Sequence, residues 1–220
     1  MKKQLLLVLI LSLLAIGFIC YKKLLPNCKI CWFFQTCKPE IADKKVKDKR
    51  SAVLAKIHSK TNDLKAYVLS HKLNANIGFL VNMGQHSGQK RFYIVDLQKN
   101  IILDRGLVAH GSGNQVFAGT PSFSNVNGSG LSSLGKYKVG AKYVGQFGDA
   151  YKLHGLEFSN NNAFERNVVL HSYSCVPSME TYPMPICNSL GCPMVSNGFL
   201  KKLSAIIEKE KKPIALWVFE

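Results

Sequence analysis

IGFLVNMGQHSGQKRFYIVDLQKNIILD, running from Ile77 to Asp104, is where the pattern of this chain changes. Upstream of it the apolar residues Val53, Leu54, Ile57, Leu64, Val68 and Leu69 recur at three- and four-residue steps, the spacing of one helix face. Residues 49–73 are therefore expected to form an amphipathic helix or helix pair, ended by Asn74-Ala75-Asn76. From Ile77 the apolar period becomes two. Turn residues then interrupt the chain roughly every eight to twelve positions, which predicts a mostly antiparallel β domain.

Within the quoted stretch, Ile77 to Asn82, Arg91 to Leu97 and Ile101 to Asp104 read as strands. Gln98-Lys99-Asn100 supplies a hairpin turn between the last two. Further strands are expected at Leu107 to His110, Gly135 to Gly140, Ala150 to Leu153 and Asn167 to His171. A helix is expected at about Asn197 to Lys211 and a last strand at Ile214 to Phe219. The Gly- and Ser-rich stretch from Gly111 to Ser133 is too long for a simple turn, so it is either a functional loop or loosely held. The class is α+β, with no internal repeat.

The first residues are set apart from the fold. Lys2 and Lys3 precede an apolar run, Leu5 to Tyr21, in which Ser12 is the one clearly polar residue. A basic start followed by such a run is an export signal, and its length sits at the short end of what crosses a bilayer. No small-residue cleavage pattern follows, which favours a retained anchor over a cleaved signal, and bulky Ile19 argues against a lipoprotein signal at Cys20. The expected organisation is a signal or transmembrane anchor at 1–21, a Cys-rich juxtamembrane segment at 22–43, a charged helical stalk at 44–74 and a β-rich domain at 75–220. The protein is expected to be exported to the periplasm or cell envelope, held at the inner membrane by its N-terminal segment.

Lys and Arg number 29 against 13 Asp and Glu, a formal net charge of +16. Such a balance raises nucleic acid as a partner, but export removes it and leaves acidic wall polymer or anionic lipid headgroups as the matching surfaces. Many of the lysines fall between Lys44 and Lys72, where they read as a solvated helix face.

Seven cysteines in an exported chain pair off and leave one over. With Cys192 as the one left, Cys175 and Cys187 pair across a Pro-rich loop. Cys20, Cys28, Cys31 and Cys37 remain, and Cys28-Lys-Ile-Cys31 reads as part of a juxtamembrane knot rather than a redox or zinc motif, since no strand-helix context stands beside it.

Reactive side chains are densest in Val168-Val169-Leu170-His171-Ser172-Tyr173-Ser174-Cys175 and in Asn188-Ser189-Leu190-Gly191-Cys192-Pro193. A thiol with a pKa of about 8.5 is mostly protonated at neutral pH, and an imidazole beside it converts it to the thiolate nucleophile. His171 at a strand end is a candidate base and Cys192 a candidate nucleophile. Gly191 would let the backbone approach closely, and amide N–H groups of the Ser189-Leu190-Gly191 loop could face an oxyanion. His171, Cys175, Cys187 and Cys192 are all zinc-ligand types, but their spacing matches no common zinc pattern, so no metal or other cofactor is expected.

These residues resemble the L,D-transpeptidase catalytic domain, the YkuD-type fold, whose signature is a strand-end His followed by Ser-x-Gly-Cys. The resemblance runs from about Ile77 to Glu220 and is greatest to the subfamily carrying Gly-Cys-Pro. Val108-Ala109-His110-Gly111, Phe123-Ser124-Asn125, Ser132-Ser133-Leu134-Gly135 before Tyr137, and Gly155-Leu156-Glu157 are similar to it in the same order. The resemblance implies Cys192 as acyl-accepting thiol, His171 as general base and Ser189, Leu190 and Gly191 as the nucleophile loop, with His110, Ser172 and Tyr173 lining the site. It also implies peptidoglycan stem peptides as substrate, through a thioester on Cys192. Two positions depart from the pattern: Ser172 stands where Gly is common, and Leu190 where His or an aromatic is common. An L,D-carboxypeptidase using the same site and a non-catalytic wall-binding module are the alternatives.

Overall fold

The computed structural model describes residues 39–113, 115 and 120–220. The expected signal or anchor at 1–21 and the cysteines Cys20, Cys28, Cys31 and Cys37 lie outside the described residues. No helix among the described residues is long and apolar enough to cross a membrane.

Helix α1 (Pro39–Ser70) starts ten residues before the expected one, with Pro39 in the first turn, where its missing N–H costs nothing. Two units meet within it, between Val53 and Leu54; of the first, the helical residues 39–53 are described. In the second unit, Ile57, Thr61, Leu64 and Val68 form one fully buried stripe. Each of its apolar members contributes about 2 kcal/mol by leaving water, so this half of the helix belongs to the domain core. Leu69, expected on the stripe, is 60% exposed, because it lies a third of a turn beyond Val68. The helix closes early on Lys72, at φ 54°, and the Leu73 N–H reaches back to the Val68 carbonyl, an arrangement that satisfies the last carbonyls. Asn74 Oδ1 then accepts the Asn76 and Ile77 N–H groups and turns the chain into the sheet.

One nine-stranded sheet follows, in the order β3-β2-β1-β9-β5-β6-β7-β8-β4. The strands are β1 (Ile77–Asn82), β2 (Phe92–Asp96), β3 (Ile101–Gly106), β4 (Val108–Ala109), β5 (Gly135–Gly145), β6 (Gly148–Gly155), β7 (Val169–Ser172), β8 (Met194–Val195) and β9 (Ala215–Phe219). Helix α2 (Asn197–Lys209) precedes β9, capped by Ser196 Oγ on the Phe199 N–H. Pairing is antiparallel except for β1 with β9 and β7 with β8. The expected strands are present, β5 and β6 running longer than predicted, and β8 is additional. A central cluster including Phe79, Ile94, Tyr137, Leu153, Leu170, Leu203 and Leu216 forms the core.

The described residues of the 111–133 stretch are tied down rather than loose. It bridges Gly111 to Ser189, Ser112 to Leu131 and Phe123 to Ser132. Its first residues thereby lie against the segment that carries Cys192.

Candidate active site

The parallel pairing of β7 and β8 is the frame of the site. Its register sets His171 opposite Met194 and Ser172 opposite Val195. Two residues back along both strands, Cys192 comes level with Val169, whose N–H points at Cys192 Sγ at 3.4 Å. The base and the thiol thus start from adjacent strands, offset by two residues, roughly 6.5 Å along the strand direction. Cys192 is the free cysteine among the described residues, and Cys175 is bonded to Cys187 in the excursion between the strands.

His171 is 5% exposed, and its Nδ1 lies 3.1 Å from the Ser172 carbonyl. A carbonyl can only accept, so Nδ1 carries the ring hydrogen and Nε2 keeps its lone pair in the neutral imidazole. Burial pushes the His171 pKa down, partly opposed by that carbonyl. Burial likewise pushes the Cys192 thiol up, opposed by the Val169 N–H and by the charges of Arg166 and Lys152. Both shifts favour uncharged partners, so the resting pair is thiol and neutral imidazole rather than a preformed ion pair. Uncharged groups of this kind suit general-base chemistry rather than attack by a preformed thiolate.

The loop before the thiol is fixed by Ser189. Its Oγ donates to the Cys192 carbonyl at 2.6 Å and accepts the Gly191 N–H at 3.2 Å. Its backbone N–H donates to the His110 carbonyl, and its carbonyl accepts the Ser112 N–H. Gly191 adopts φ 115°, and a side chain there would meet the Leu131 carbonyl at 2.9 Å, so glycine is required on both counts. Ser132 fastens three segments together, its Oγ accepting the Gly111 N–H and donating to the Gly191 carbonyl. With Gly191 N–H taken by Ser189 and Ser189 N–H by the His110 carbonyl, and Pro193 lacking one, the Leu190 and Cys192 N–H groups remain as candidate donors to an oxyanion.

The other expected residues fall in distinct places. Tyr173 and Leu190 are exposed, at 43% and 82%, and Ser172 holds the base through its carbonyl. His110 is fully buried behind the loop. Its Nδ1 lies 2.8 Å from Arg91 Nη2, and its Nε2 lies 3.3 Å from the Asn188 amide. Arginine only donates, so His110 Nδ1 accepts from Arg91 Nη2. Arg91 itself is fully buried, its pKa lowered to about 10 by burial, and it also donates to the Val108 and Gln85 carbonyls. Among the described residues no cluster of His, Cys, Asp and Glu forms a metal site.

Phe147 and Arg166 were not singled out from the sequence. Phe147, at the tip of the β5–β6 hairpin, stacks on the His171 ring at 5.2 Å and meets Tyr173 edge-on at 5.3 Å. An aromatic between Gly145 and Gly148 was the available signal, since a hairpin tip is usually polar. Removing the ring in Phe147→Ala is expected to let water reach the imidazole and raise its pKa toward the ordinary value. The neutral base then forms at higher pH, so the acidic limb of the pH–rate profile for Cys192 modification should move up by about half a pH unit. A limb that stays in place would show that Phe147 does not shield the base.

A free thiol just before β8 and a tautomerically fixed imidazole on β7 thus stand beside a braced glycine loop. The chain belongs to the family of the L,D-transpeptidase catalytic domain, whose profile matches residues 48–216. Among solved structures it is similar to the helical cell shape determining protein Pgp2 (K307A mutant) from Campylobacter jejuni, at 13% identity and TM-score 0.41, over 66% of this chain and 47% of that one. It is also similar to an L,D-transpeptidase (residues 123–326) from Xylanimonas cellulosilytica, at 12% identity and TM-score 0.38, over 70% and 68%. A third similarity is to an L,D-transpeptidase from Mycobacterium smegmatis, at 12% identity and TM-score 0.40, over 66% and 59%. This chain thus spans about half the length of the Pgp2 chain. No curated protein matches it.

Proposed function

We propose that the protein is a cysteine-dependent L,D-transpeptidase of the cell envelope that acts on the tetrapeptide stems of peptidoglycan. Family membership supports the class of reaction, and the observation that carries the assignment of roles is the β7–β8 register that brings Cys192 level with Val169, one strand from His171.

In this reading Cys192 Sγ attacks the carbonyl carbon of the third stem residue while its proton passes to His171 Nε2. The Ser172 carbonyl steadies the imidazolium through Nδ1–H, and the Leu190 or Cys192 N–H receives the oxyanion. Collapse breaks the amide bond, and the D-alanine amine leaves with the proton returned by His171. A thioester remains. An amine from a second stem then attacks it, gives its proton to His171 and regenerates the thiol.

The test is to incubate the protein with tetrapeptide muropeptides and follow both partners by mass spectrometry. The expected result is a thioester on the Cys192 peptide, loss of the terminal D-alanine and 3-3 crosslinked dimers. Trimmed tripeptides without dimers would assign water as the acceptor and the protein as an L,D-carboxypeptidase. Binding to sacculi with no covalent species would sink the enzymatic reading.

A further inference from the structure

Arg166 enters no step of the chemistry above, yet it is the most heavily bonded side chain around the nucleophile loop. Its Nη1 donates to the Ser124 carbonyl at 2.8 Å and to Ser133 Oγ; its Nη2 donates to Ser129 Oγ at 3.2 Å and to the Leu131 carbonyl at 2.6 Å. All four acceptors are neutral, and among the described residues no carboxylate pairs with it. Four bonds therefore hold the guanidinium in place without cancelling its charge.

The location of that charge is informative. A side-chain carbon on Gly191 would stand 3.5 Å from Arg166 Nη2 and 2.9 Å from the carbonyl that Nη2 grips. The cation and the 129–131 backbone thus pack directly on the residue preceding Cys192. Burial alone would keep the thiol protonated, and Arg166 is the first charge that opposes it. Lys152 is the second; its Nζ donates to Asn167 Oδ1 at 2.9 Å, likewise a neutral acceptor, but among the described residues it makes no hydrogen bond that would fix the nucleophile loop as the Arg166 fork does.

We propose that Arg166 is a positioning residue for Cys192, holding the 124–133 segment against Gly191 and setting an uncompensated positive charge at the residue before the thiol so that the thiolate can form as its proton leaves. The proposal rests on Cys192 being the nucleophile, and it is independent of which acyl group that nucleophile takes.

The test uses full-length protein and iodoacetamide, with alkylation of the Cys192-containing peptide read by mass spectrometry across a range of pH. In Arg166→Met the rate near neutral pH is expected to fall about three- to tenfold, converging with wild type at alkaline pH where the thiolate is fully formed. Arg166→Lys, which keeps the charge but not the fork, should recover most of the neutral-pH rate. If Arg166→Met does not fold, Arg166→Gln, which keeps a donor for the Leu131 carbonyl, is read in the same way. A loss of equal size at every pH, with an unmoved midpoint, would mean a purely structural clamp and overturn the proposal, as would unchanged rates. Neither result touches the peptidoglycan reading, which the muropeptide experiment decides separately.

Discussion

Cys192→Ser is expected to abolish acyl-enzyme formation, a loss on the order of 10³-fold or more, in a protein that still folds. A serine hydroxyl is far less acidic than a thiol, and the base available to it is weak, because burial holds the His171 pKa down. An imidazole whose pKa burial holds down takes a proton from an alcohol far less readily than from a thiol at neutral pH. The fold should tolerate the change. Sγ accepts the Val169 N–H at 3.4 Å and lies 3.7 Å from the Asn167 carbonyl, and an oxygen can engage both, so the stability change should stay within about 1 kcal/mol. Intact mass after incubation with muropeptides, beside a thermal melt, checks both halves. Retained turnover with a normal melt would mean that sulfur is not the nucleophile.

Gly111→Ala is expected to be among the most damaging single methyls in the domain, and the one that falls directly on the nucleophile loop. The added carbon would fall 2.3 Å from the Gly130 carbonyl oxygen, 2.6 Å from Gly191 N and 2.7 Å from Gly191 Cα. All three neighbours are backbone and cannot rotate away, so either the 129–132 segment or the nucleophile loop has to move. Overpacking of this kind costs roughly 1–3 kcal/mol, or about 2–12 °C of melting temperature for a domain of this size. Displacement of Gly191 also undoes the Ser132 bridge and the placement of Cys192. Activity should therefore fall further than the melt alone explains. Full activity in the variant would show that the 111–133 stretch does not support the site.

The sheet was legible because some strands alternate between faces, as at the start of Gly135–Gly145, and others run apolar between turn residues, as in Ile77–Asn82 and Phe92–Asp96. Strand β8 was not: two residues directly after Pro193 carry no period, and only pairing with β7 makes them a strand. The candidate base and nucleophile stood out because a histidine closes one apolar run and Gly-Cys opens another. What the sequence could not reveal was which distant groups converge on them. Arg166 lies in a turn rich in asparagine, where a charged residue ordinarily faces solvent. The buried pairing of Arg91 with His110 joins positions 19 residues apart by a contact that no local pattern encodes.

The excursion from Tyr173 to Asn188 is closed on itself by the Cys175–Cys187 bond, and it is braced against the Gly88 carbonyl by the Thr181 and Tyr182 N–H groups. Catalytic register, by contrast, is fixed by strand pairing outside that ring. The ring is anchored by its inner residues, Val176 and Ile186 packing with Leu107, Ala109 and Met194, while its rim is exposed. Residues at its rim such as Met179 and Met184 can be exchanged, or an affinity peptide grafted there, while the reacting atoms keep their spacing.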